Sequence, residues 1–145
     1  MSLGSEGNTT LGSYLASSTG TVYKSEDAEA NQATIDITFG VGNTGGPSLI
    51  SPDARQAAGL NQTAAPRTTF FKAEDSGPTD LGTVKAIDVE NNISASTTKN
   101  VQITQGSVYS FVQSGSTGKK GYILIKTLSG TGTNRTAEIE FVVQQ

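Results

Sequence analysis

From residue 100 to the C-terminus the chain consists of four apolar runs separated by connectors with almost nothing to bury. The runs are 101–104, 108–113, 122–128 and 137–143, and the connectors are Gln105-Gly106, 114–121 and 129–135. Each connector is rich in Gly, Ser, Thr or Asn, which turn the backbone cheaply, so the economical arrangement is a meander of consecutive antiparallel hairpins. Sixteen Ser, twenty Thr and seventeen Gly make up over a third of the 145 residues. That mixture favours strands and turns over long helices. Surface scaling gives roughly 7,000 Å² of accessible area when folded, about one third of the unfolded value, so one self-sufficient core is feasible.

The first hundred residues add weaker signals. Tyr14-Leu15 and Thr21-Val22-Tyr23 flank a Ser17 to Gly20 turn, predicting two short strands. Ser25 followed by Glu26, Asp27 and alanines predicts a helix of one or two turns with Ser25 as its cap. Ile35, Ile37, Phe39 and Val41 alternate with small or polar residues, predicting a strand over 35–41 with one core face and one wet face. Residues 51–59 carry a Ser cap, a first-turn Pro, an acid and a terminal Gly, the ordered signals of a short helix. Residues 67–72 read as a strand, bounded by Pro66 and a polar turn at 74–78. Leu81, Val84 and Ile87 are spaced by three, which favours a helix from Thr79, although Gly82 and the β-branched residues leave 79–90 open to either helix or strand.

About seven strands in all predict a mainly β, Ig-like or β-sandwich-like antiparallel architecture decorated by two or three short helices. Met1-Ser2-Leu3 reads as a vector remnant, implying upstream sequence before Gly4, and residues 1–13 as a flexible lead into a single β-rich domain over 14–145.

The missing residue types exclude whole chemistries. With no His there is no imidazole base and no Ser-His-Asp triad. With no Cys there is no disulfide, thiol nucleophile or zinc-thiolate site. Ten basic against thirteen acidic residues give a net charge of −3, which repels a phosphate backbone, so nucleic acid is not an expected partner. No run approaches the roughly 18 apolar residues of a membrane-spanning helix.

The motifs that remain have bland readings. Gly40 to Gly45 matches the spacing of a dinucleotide loop, but Gly46-Pro47 follows where a helix would have to begin. Gly118-Lys119-Lys120 echoes a phosphate loop without its Gly spacing or its Ser or Thr, and reads as a hairpin turn with two solvated lysines. Glu26, Asp27 and Glu29, and separately Glu74, Asp75 and Asp80, are carboxylate groups without the spacing of a calcium loop. Asp36, Glu138 and Glu140 stand at the polar parity of strands, where solvation explains them. Tyr14, Tyr23, Tyr109 and Tyr122 are the aromatic supply for a sugar platform, each read as a half-buried ring with a wet hydroxyl. Asn8, Asn61, Asn92 and Asn134 begin glycosylation sequons, at the frequency that chance produces in such a chain. No catalytic, cofactor-binding or metal-ligating residue is nominated.

The order of Gly12 to Tyr23, Ile35 to Phe39, Ser51-Pro52-Asp53-Ala54, Arg67 to Lys72, Gly106 to Phe111 and Gly118 to Lys126 resembles a module of uncharacterised secreted proteins and lipoproteins of Bacteroidetes, with a departure around 73–90. The resemblance implies a β-sandwich-like fold on an exported, cell-surface or periplasmic protein. The expected function is non-enzymatic binding or adhesion through loops on a rigid sheet, with a glycan or another surface protein as partner. The alternatives are a structural spacer within a larger secreted protein, a lipid or small-ligand binder, and, ranked last, a hydrolase with two facing carboxylates.

Overall fold

The computed structural model describes residues 1–55, 66–116 and 118–144. Ten strands form two antiparallel five-stranded sheets. They are β1 (Ser2–Gly4), β2 (Tyr14–Ala16), β3 (Thr21–Tyr23), β4 (Ile37–Val41), β5 (Pro47–Ile50), β6 (Thr69–Glu74), β7 (Asn100–Gln102), β8 (Val108–Gln113), β9 (Lys120–Ser129) and β10 (Thr136–Val143). One sheet has the order β1-β10-β9-β8-β6 and the other β3-β2-β4-β5-β7. This is a β-sandwich, as the turn spacing predicts. Two helices, α1 (Ser25–Ala28) and α2 (Ala86–Asn92), and three short 3₁₀ turns complete it among the described residues. The accessible surface, 7043 Å², is close to the scaling expectation.

The inward parity of both sheets makes the main core: Leu15, Ile37, Phe39 and Leu49 from one sheet meet Phe71, Phe111, Ile123, Ile125 and Ile139 from the other. In β9 both Ile125 and Leu128 face this core, although three positions apart is the wrong parity for one strand. A register shift resolves it: Glu138 pairs with Thr127 but Ile139 with Ile125, so Lys126 is an extra residue that resets the alternation. Gly121 is required where β9 passes Phe111, because a Cβ there would lie 2.4 Å from the Phe111 ring and 2.4 Å from the Val142 carbonyl oxygen.

Several expectations are corrected. Residues 1–13 are not a flexible lead: β1 pairs with β10, Leu3 opposite Ala137, and Leu3 is fully buried in the core. The four C-terminal runs are not one meander. β8, β9 and β10 are consecutive hairpins, but β7 pairs with β5 in the opposite sheet. Gly106, at φ +83°, turns the chain between the sheets rather than within one. The strand at 47–50 went unread because Gly46-Pro47 looks like a terminator, yet Pro47 opens β5 opposite Val41.

The helical readings also shift. α1 begins at Ser25 itself, with Lys24 at the cap position and no side-chain cap bond, so Ser25 is not the cap. In the 51–59 segment the described part holds a 3₁₀ turn over Pro52–Ala54, and Gln56 to Gly59 lie outside the described residues, as does Asn61. The helix expected from Thr79 is a 3₁₀ turn at Leu81–Thr83 followed by α2 in another phase, burying Val89 and Ile93 and leaving Ile87 55% exposed. Asp88 accepts from the Lys85 backbone N–H at 3.0 Å at the start of α2. Lys120 Nζ donates to the carbonyls of Glu90 and Ile93 at its end, so this lysine is a helix cap and not a solvated turn residue. Through Leu81, Val89 and Ile93, α2 and its flanks cover the outer face of β8 and β9, meeting Val108 and Tyr122 in a second core.

The wet face expected of the 35–41 strand is covered as well, with Asp36 and Thr38 fully buried. A third small cluster, Tyr14, Ala28 and Ile35, lies where α1 packs over that sheet.

Candidate functional site

Three polar constellations come together from residues distant in sequence. At one end of the sandwich, Asp36 joins the sheets. Its carboxylate accepts from the Ser17 backbone N–H (3.0 Å), Ser17 Oγ (2.7 Å) and, from β8, Gln113 Nε2 (2.7 Å). Burial pushes its pKa up to about 6, against the pull of the Ser17 hydrogen bonds and the Arg67 charge. The strand parity that suggested solvation for Asp36 is correct in phase and wrong in environment.

The second constellation centres on Arg55, itself buried. Its Nη2 donates to Glu6 Oε1 at 2.5 Å and to the Tyr14 hydroxyl at 2.8 Å, and its guanidinium lies 4.5 Å from the Tyr14 ring centroid. The Tyr14 hydroxyl donates in turn to Glu6. Burial first, then the Glu6 hydrogen bond, raises the Tyr14 phenol well above its ordinary range. Tyr14 is therefore not a half-buried ring with its tip in water. A related ionic knot is held by Asp53, which accepts from Lys99 (2.5 Å), Ser51 (2.5 Å) and Thr68 (2.7 Å). Burial works against the Asp53 charge, but these donors hold its pKa below the usual aspartate value. Both arrangements are ionic ties between segments, although in the first Arg55 Nε and Glu6 Oε2 are buried without a hydrogen-bond partner among the described residues.

The third is an open cleft of about 460 Å³ between the turn that follows β6 and the first turns of α2. Glu74 and Asp88 line it together with Tyr122 from β9, and Pro78 and Val84 add apolar surface. Glu74 is oriented by Ser110 Oγ at 2.6 Å, with the exposed Lys72 amine 3.5 Å from its other oxygen. Tyr122 is 6% exposed, its ring packed under α2, yet its hydroxyl has no hydrogen-bond partner among the described residues. Burial, Glu74 and Asp88 all raise the Tyr122 phenol pKa, so the hydroxyl stays protonated. A second cleft of about 300 Å³ lies beside it, across Glu74 and Gly77, toward Ser107 and Tyr109.

The remaining sequence candidates resolve as follows. Gly40 to Gly45 is the end of β4 and a hairpin turn, closed by Gly42 N–H to Gly46 O at 3.0 Å, and a strand follows it. Glu26 and Asp27 stand in the first turn of α1, and Asp80 accepts from the Gly82 N–H at 2.9 Å at its 3₁₀ turn. No group of three or more acids converges as a metal site among the described residues. Glu140 lies 3.5 Å from Lys126 on the sheet surface. Tyr109 is buried, its hydroxyl accepting from the Thr104 N–H (3.0 Å) and donating to the Gln102 carbonyl (3.3 Å). With Tyr14, Tyr109 and Tyr122 buried, the four tyrosines make no exposed stacking platform. Among the described residues no helix is long and apolar enough to cross a membrane. Sequence reasoning grouped Glu74 with Asp75 and Asp80, but the cleft pairs it with Asp88 and Tyr122, which no local pattern connects. No family model, curated protein or solved structure matches the chain.

Proposed function

We propose that this β-sandwich is an exported, non-enzymatic binding module that receives its ligand in the cleft between α2 and the turn after β6. One observation carries the reading: Tyr122, its ring packed in the second core, lines the cleft and its hydroxyl has no hydrogen-bond partner among the described residues. A phenol whose ring is fixed in a core and whose hydroxyl is left to solvent beside two carboxylates is a place for a ligand's polar group. The cleft holds a phenol and carboxylates but no nucleophile paired with a base, which favours binding over turnover. The resemblance to exported Bacteroidetes modules supports the location outside the cytoplasm.

A rigid spacer is the second reading, favoured by the ties at both seams of the sandwich. Phe71 N–H donates to Thr98 O at 2.7 Å at one, and Gly4 N–H to Gly12 O at 2.9 Å at the other. A thermal-shift screen against soluble glycans, organic amines, calcium and fatty acids separates the two. Binding predicts a rise in Tm with one ligand class that is lost in Tyr122→Phe. A ligand at about one hundred times its Kd adds about 2.7 kcal/mol, a shift of several degrees. A flat screen on stably folded protein rejects the binding reading in favour of the spacer.

A further inference from the structure

We infer that the cleft is built for a primary ammonium on an aliphatic stem, the chemistry of a lysine side chain on a basic peptide or of a free alkyl amine. This rests on the binding reading above and gives that site its ligand class. The segment from Lys72 to Asn92, which frames the cleft, carries five carboxylates against two lysines. Its local balance of −3 makes the segment acidic and attractive to cations.

Two of those carboxylates line the cleft, and both keep acceptor capacity for a cation. Glu74 accepts from Ser110 Oγ at one oxygen, which holds it in place, and at the other from the exposed Lys72 amine at 3.5 Å, a long contact that leaves lone pairs free. Asp88 uses Oδ2 for the Lys85 backbone N–H and has no hydrogen bond at Oδ1 among the described residues. Tyr122, lining the same cleft, has a hydroxyl oxygen to offer a third N–H, which completes the three donors of an ammonium group. Pro78 and Val84 give the methylene stem an apolar surface to lie on, as lysine stems require when only the charged head seeks polar partners. Of the other lysines on these elements, Lys85 stands at the start of α2 and is not a lining residue, and Lys120 is turned to the carbonyls at the far end of α2. A neutral sugar would leave Asp88 without an ion-pair partner among the described residues and Glu74 with the exposed Lys72 alone, and none of the lining residues offers it an exposed aromatic face.

The test is an NMR titration of the full chain with three probes: a Gly-Gly-Lys-Gly-Gly peptide with blocked termini, the same peptide acetylated on its lysine, and 1,5-diaminopentane. The expected result is saturable shifts at Asp88, Val84 and Tyr122 with the lysine peptide and the diamine, weakened by salt and absent with the acetylated peptide. Asp88→Asn retains an acceptor for Lys85 and leaves the fold intact, yet weakens the complex about tenfold, as loss of one charge-assisted hydrogen bond predicts. Tighter binding of the peptide than of the diamine identifies a peptide as the source, and the reverse identifies a small amine. Equal binding of the acetylated peptide, or a Kd unchanged in Asp88→Asn, overturns the inference. A neutral oligosaccharide is titrated as a control: if it shifts the same resonances and the amines do not, the cleft is a binding site and the ligand class is wrong. If no ligand shifts them, the binding reading itself fails.

Discussion

Replacing Asp36 with Asn tests whether the junction between the sheets holds a neutral acid or a carboxylate. Asp36 is 0% exposed, and its pKa stands near 6 in the folded protein against 3.8 for an ordinary aspartate. The folded state keeps the proton up to about pH 6, whereas the unfolded chain releases it above about 3.8. Between those values the folded state binds more protons, so stability falls as pH rises. The contribution of Asp36 is therefore complete below 3.8, declines across the window and is lost above 6. A gap of about two units is worth about 3 kcal/mol, or roughly 6 to 12 °C in Tm at this chain length. When protonated, Oδ2 can donate to Ser17 Oγ 2.7 Å away, so the hydrogen-bonded frame survives the change of state.

Asp36→Asn abolishes this titration. It also puts an amide where Gln113 Nε2 now donates, and a flip of Gln113 then costs its contact with the Lys119 N–H at 3.3 Å. That offset is about 1 kcal/mol and independent of pH. Urea unfolding at intervals from pH 3.5 to 7.5 gives the difference curve directly. The variant is expected to gain on the wild type by about 3 kcal/mol between pH 4 and 7. A difference curve that is flat, or that slopes the other way, would refute the reasoning by showing that the buried carboxylate is charged at little cost.

Three other outcomes follow from packing. Phe111→Ala empties the centre of the main core and is expected to cost about 3–5 kcal/mol in denaturant unfolding. Gly121→Ala drives a methyl into the Phe111 ring and the Val142 carbonyl, so a loss of about 1–3 kcal/mol is expected, and unchanged stability would mean that β9 and β10 can part there. Lys120→Gln removes the charged donor at the end of α2, with an expected loss of about 1 kcal/mol and faster amide exchange confined to 86–93.

What the sequence made legible was the local part of the fold. β8, β9 and β10 each alternate cleanly and are joined by short polar connectors, so their pairing follows from neighbours in the chain. β1 and β7 fail the same logic because their partners are distant: Leu3 waits for Ala137, and Val101 for Leu49. A three-residue strand carries too few side chains to announce a register. Asp36 was misjudged for a related reason, since alternation gives the phase of a strand and not what later covers its second face. The cleft was half visible: the Glu74 and Asp75 turn stood out as acidic, but Tyr122 arrives from a strand whose apolar pattern says only that it belongs to a sheet.

The pairing of β1 with β10 sets a condition on how this molecule is made. Synthesis makes Leu3 well over a hundred residues before Ala137, so for that interval the nascent β1 has no β10 to join. Pairings between such distant segments demand closure of a very long loop before they return any free energy, which makes them late and slow events. Until they form, the outer edge of β10 is an unpaired ladder open to other chains. Synthesis time, and whatever shelters that edge meanwhile, therefore bear on the yield of folded protein as directly as the stability of the finished sandwich does.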